Sequence, residues 1–178
     1  GVSKQEATVR AIHEAASRRL KEDKIRALSS SARDRYADLL DRLGRLSTTS
    51  LVGFADTQIG ALTTTQIGGL LAPQVSAFGA TTVAALTATQ ISAMSATQIA
   101  ALGATNFAAL DTTQIGALTA TQMRSLTTSQ IASIDAGQVS SFTTTQLTQL
   151  SGTQLKSLST SNLSALDTTQ MASLTATQ

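Results

Sequence analysis

The chain has 178 residues, of which 42% are hydrophobic, 3% aromatic and 13% charged, with no Cys, no Trp and a single Tyr, Tyr36. So few aromatics exclude a core built around large rings, and a charged fraction about half the usual level leaves a mostly neutral Thr/Ser/Gln surface. The absence of Cys excludes a disulfide framework and a thiolate metal site.

The net charge of +2 is unevenly spread: residues 1–46 hold eleven Lys/Arg against seven Asp/Glu, and residues 47–178 hold two against four. A nucleic-acid partner is excluded as the main one, because the long second region offers only Arg124 and Lys156 and no stacking aromatics. No stretch approaches the roughly 20 apolar residues of a membrane span, and no signal peptide is visible. The chain begins at Gly1 and ends in mid-octad at Gln178, which reads as a segment of something longer, with any targeting signal outside it.

Residues 1–46 are expected to form a helical hairpin. Ser3 and Glu6 make a capping box, and Val9, Ile12, Ala16 and Leu20 recur at helical spacing. Ser29-Ser30 breaks the run, and a second helix from Ser31 presents Tyr36, Leu39, Leu40 and Leu43 until Gly44. Charged faces carrying Arg18, Arg19, Lys21 and Glu22 suit the solvated end of a stack.

From Leu43 the sequence repeats every eight residues without a slip, as in Ile59-Gly-Ala-Leu-Thr-Thr-Thr-Gln66 and Ile115-Gly-Ala-Leu-Thr-Ala-Thr-Gln122. Positions one and four are apolar in all seventeen octads and are the expected core. Position five is Ser, Thr or Asp in thirteen octads and position eight is Gln in thirteen. The resulting Ser/Thr/Asp-x-x-Gln-apolar string is a repeated capping box, with position four and the next position one forming its hydrophobic staple. Each octad therefore encodes a helix start, giving helices of about six or seven residues. Rods this short are unstable alone and must stack on their neighbours. Position three is Gly, Ala or Ser in fifteen of seventeen octads, as close packing requires, and position two, which accepts Arg124 and Lys156, is placed outside.

One continuous helix is excluded, because eight residues overshoot two turns of 3.6 and the apolar stripe would rotate by about 80° per octad. The expected fold is an all-α solenoid of very short helices, of either hand, over 47–178; a β-solenoid is the competitor, disfavoured by the helical spacing of positions one and four. Pro73 falls in a first turn, where a missing N–H is tolerated, and so supports the helix phase. Pairs 24 residues apart (Phe54/Phe78, Gly79/Gly103, Asp111/Asp135) point to three octads per superhelical turn.

No catalytic, cofactor-binding or metal-ligating residue is expected, and the chain reads as no enzyme. The only histidine, His13, has no partners for a triad or a metal site. Asp111, Asp135 and Asp167 sit at cap positions and Asp56 one place later, where a helix N-terminus favours negative charge. Asn162-Leu-Ser164 is a formal glycosylation sequon. Thr-x-Thr at positions five and seven (Thr63/Thr65, Thr87/Thr89, Thr119/Thr121, Thr143/Thr145, Thr175/Thr177) forms a lattice of a kind that can order water.

Strings such as Leu62-Thr-Thr-Thr-Gln-Ile-Gly-Gly-Leu70 resemble the Thr/Gln/Ala/Leu octad arrays of large bacterial secreted or surface adhesin-like proteins. The resemblance covers residues 47–178 and implies a structural module, a stalk or a filament-forming subunit, in an extracellular or cell-surface setting. The expected partner is a second copy through end-to-end stacking; the alternative is a binding module for ice, glycan or protein using an outward Thr/Ser/Gln face.

Overall fold

The computed structural model describes residue 42 and residues 44–174. The chain divides into two units, Gly1–Arg42 and Leu43–Gln178; the hairpin expected over 1–46, with His13, falls almost wholly outside the described residues. In the second unit the capping pattern becomes structure octad by octad. The described residues hold sixteen helices: α1 (Thr48–Val52), α2 (Asp56–Gly60), α3 (Thr64–Gly68), α4 (Ala72–Ser76), α5 (Ala80–Ala84), α6 (Ala88–Ala93), α7 (Ala96–Ala101), α8 (Gly103–Ala108), α9 (Thr112–Gly116), α10 (Ala120–Ser125), α11 (Thr128–Ser133), α12 (Ala136–Ser140), α13 (Thr144–Leu147), α14 (Gly152–Leu155), α15 (Thr160–Ser164) and α16 (Thr168–Ser173). There is no strand among the described residues, so the β-solenoid alternative falls.

Each helix starts where the side chain at position five turns back on the backbone. Thr119 is extended (φ −75°, ψ 160°) and its hydroxyl accepts from the N–H of Gln122, while Gln122 Oε1 accepts from the N–H of Thr119 at 2.7 Å. The full reciprocal box forms at ten helix starts, with Thr, Ser or Asp as the cap. At Ala55 and Leu71, which have no capping oxygen, only the Gln half remains. Pro73 occupies the first turn of α4.

The helices are four to six residues long, shorter than expected, because the chain closes early. The position-four N–H bonds to the position-one carbonyl three residues back, as in Leu62 to Ile59 and Leu118 to Ile115, both 3.1 Å. That tight closing turn satisfies a terminal carbonyl and ends the helix.

Every prominent packing partner lies three helices away: α2 on α5, α5 on α8, α8 on α11, and likewise for the other two series. Three octads thus complete a turn, and the helices stack in three columns: α1/α4/α7/α10/α13/α16, α2/α5/α8/α11/α14 and α3/α6/α9/α12/α15. Positions one and four point inward from all three, except at the exposed Phe54, Leu163 and Met171, and fuse into one core running from Leu51 to Leu166. Position two is exposed at most rungs, Arg124 and Lys156 included, as expected.

Gly103 departs from the pattern. With φ +72° it is the one described residue in the left-handed region, and Leu102 before it is helical (φ −60°, ψ −25°) rather than extended. Gly103 stands at a cap position by sequence but does not cap: the chain passes from α7 almost directly into α8.

Candidate functional site

The feature that unites the fold is a ladder of side-chain amides. At position eight, Gln74, Gln90, Gln98, Gln114, Gln122, Gln130, Gln138, Gln146, Gln154 and Gln170 are all buried. This corrects the expectation of an outward Thr/Ser/Gln face: these glutamines belong to the interior. Each uses both ends of its amide. Gln122 Oε1 takes the cap N–H of its own helix, and its Nε2 donates to the carbonyls of Met94 at 2.7 Å and Ile91 at 2.8 Å one turn earlier. The same pair of inter-turn bonds links Gln98 to Leu70 (2.7 Å) and Ile67 (2.9 Å), and Gln146 to Leu118 (2.8 Å) and Ile115 (3.0 Å).

Only a neutral amide suits this place. A glutamate would present no donor to the carbonyls and would bury a charge. Asparagine, one methylene shorter, spans only one of the two gaps: Asn106 and Asn162 keep the inter-turn bond, to Phe78 at 2.6 Å and Ile134 at 2.8 Å, and have no reach-back to their caps. Asn162 is buried with its Nδ2 engaged, so the sequon is inaccessible in the folded chain.

The glutamines of the ladder are legible in the sequence as position eight of the octad. Gln58 follows Ala55 and Gln74 follows Leu71, so glutamine persists at two starts where the capping oxygen, and with it half the box, is gone. At both starts the Gln Oε1 still takes the cap N–H, and Gln74 also donates to the Leu46 carbonyl at 2.8 Å one turn earlier.

The outer edges carry the hydroxyls. Positions five and seven are exposed at every described rung. Thr97, Thr121, Thr145 and Thr169 lie 24 residues apart along the column of α7, α10, α13 and α16 and form an unbroken exposed line. The lattice expected from the sequence is therefore present, with position five also engaged in capping. Thr175 and Thr177 lie outside the described residues.

The carboxylates stay apart. Asp111, Asp135 and Asp167 each accept from the N–H of the Gln three residues on, at 2.7 to 2.8 Å. Asp56, in the first turn of α2, instead receives the Thr82 hydroxyl from the next turn at 2.6 Å. Among the described residues no group of three His, Cys, Asp or Glu is placed to hold a metal. A cavity of about 260 Å³ lies beside Asp56, lined by Leu51, Phe54, Phe78, Gly79 and Thr82 among others. It marks a gap in the ladder, because Thr82 occupies the position where Gln would reach back to Phe54.

Residues 107–144 match the family described as the ALTTAQ repeat. The chain is a repeat protein. No curated protein and no solved structure matches it. The matched segment runs from the end of α8 to the start of α13, and every helix that begins within it carries the full reciprocal box. Among the described residues no helix is long and apolar enough to cross a membrane.

Proposed function

We propose that the repeat array is a non-catalytic structural module, a stiff stalk or the building unit of a filament. The supporting observation is the ladder itself. Turn is joined to turn by buried amide bonds and a continuous apolar core, so stiffness is distributed along the array and length is set by the number of rungs.

With helix layers about 8–10 Å apart, a turn of 24 residues advances the rod by roughly 9 Å, against about 36 Å for the same residues in one helix. The array gives up reach for thickness and stiffness, which suits a support rather than a flexible tether. An extracellular or cell-surface setting is part of the proposal, supported by the resemblance of the octads to arrays in large secreted bacterial proteins. Self-association through stacked turns is its filament form.

Small-angle scattering and electron microscopy of variants lacking whole turns test it. Deleting residues 107–130 removes three octads in register and should shorten the particle by roughly 9 Å while leaving the helical signal per residue unchanged; a collapsed or unfolded product counts against the stalk. Filaments growing with concentration support the filament form, and isolated rods at all concentrations remove it.

The unbroken line Thr97, Thr121, Thr145 and Thr169 supports a second reading, a face that binds ice, glycan or protein. Replacing Thr97, Thr121 and Thr145 by Lys should abolish such binding and leave folding nearly intact, because position seven has no role in the core or the ladder.

A further inference from the structure

We infer that the solenoid has a built-in opening joint in one of its three columns, centred on α5, at which it yields locally while the other columns stay closed. The first three described helices of that column lack side-chain caps in succession, whereas in the other columns Leu71 at α4 is the one such start among the described helices. In those three the position-five residues are Ala55, Gly79 and Gly103. Below them Thr127 and Ser151 restore the full box at α11 and α14.

The ladder weakens in the same column. Thr82 is too short to reach the Phe54 carbonyl and turns to Asp56. Asn106 holds one carbonyl and gives up its cap. Even Gln130, the next residue down, loses a partner: it binds Ile99 at 2.8 Å but not Leu102, the position-four residue that precedes Gly103 and is held in helical conformation. Of the ten buried glutamines it is the one without its position-four carbonyl.

The gap has a geometry as well as a deficit. A Cβ added to Gly60 would stand 3.1 Å from the Ala85 carbonyl, so α2 and the C-terminal end of α5 are in close contact. At the other end of α5, around Gly79 and Thr82, lies the cavity, with Phe54 40% exposed on its rim. α5 is thus pinned at its finish and loose at its start. It opens by unwinding its first turn outward about the Gly60–Ala85 contact, which exposes Phe54 and Phe78 and breaks the bonds from Val83 to Gly79 and from Ala85 to Thr81.

Amide hydrogen exchange on the full chain reads this directly, with neighbours in sequence as controls, because fraying from an array end would affect α4, α5 and α6 alike. The amides of Val83 and Ala85 should exchange at least about tenfold faster than those of Val75 and Phe78 before them and Ile91 and Met94 after them. Rates that differ by less than about tenfold across these helices, after correction for intrinsic exchange, overturn the inference. The double substitution Gly79→Thr with Thr82→Gln supplies the missing cap and rung and should bring Val83 and Ala85 to the rates of the α6 amides. Unchanged rates in a variant whose circular dichroism matches the parent also overturn it.

Discussion

Two stretches of the same solenoid differ in how completely they obey the repeat. From α9 to α14 every cap is Ser, Thr or Asp, and every helix start carries the reciprocal box. Around α5 and α8 the caps are glycine or absent and the rungs are Thr and Asn. The core does not register the change: Val83 and Phe107 are as fully buried as Ile115 and Met123. Burial of positions one and four is therefore enough to build the column, and caps and amides decide how firmly each helix is held in it.

The sharpest way to break the comparison is to remove a rung where the ladder is intact. Gln122→Leu roughly keeps the volume but strands the Thr119 N–H and the Met94 carbonyl, while the Ile91 carbonyl loses one of two donors and keeps the Met94 N–H. At about 1–3 kcal/mol for each of two unsatisfied groups, partly relieved by relaxation, a loss of about 2–4 kcal/mol is expected. Thr82→Val, at the equivalent position of the gap, removes one bond on the cavity wall and should cost about 1 kcal/mol. Urea unfolding followed by circular dichroism, fitted with a nearest-neighbour model because arrays unfold rung by rung, measures both. Equal losses at the two sites would mean that the ladder adds nothing beyond ordinary polar satisfaction.

Gly103→Ala comes next. An alanine at φ +72° is opposed by about 1–2 kcal/mol, although nothing lies within 4 Å of the added methyl. The same measurement should show a loss of that size. No loss would mean that Leu102 and the substituted residue revert to an ordinary extended cap, and the Leu102 carbonyl would then return to Gln130.

Much of this is readable in the sequence. Positions one and four announce the core, the Ser/Thr/Asp-x-x-Gln string announces the helix starts, Pro73 fixes the phase, and Gly79 and Gly103 already show the 24-residue turn. Two things are not readable. The capping box explains Gln so well locally that the other end of its amide, whose partners lie 28 to 31 residues back, is left unassigned and the side chain is placed outside. The behaviour of Gly103 is hidden because Gly79, in the same position of the preceding turn, does adopt the extended cap (φ −85°, ψ 167°); glycine permits both conformations and its identity alone does not choose.

The smallest effects separate the columns most finely, through two glycines at position two. Gly116 sits in α9 with nothing within 4 Å of a Cβ placed on it, whereas the Cβ at Gly60 would meet the Ala85 carbonyl at 3.1 Å. Alanine in place of Gly116 relieves the backbone entropy of a helical glycine and should add about 0.5–1 kcal/mol. Alanine in place of Gly60 gains the same entropy but pushes against the α2–α5 contact, so its net effect should fall near zero or below. If α5 instead yields at no cost, Gly60→Ala will stabilise as Gly116→Ala does, and the contact at the finish of α5 will have been too soft to serve as the pivot of an opening joint.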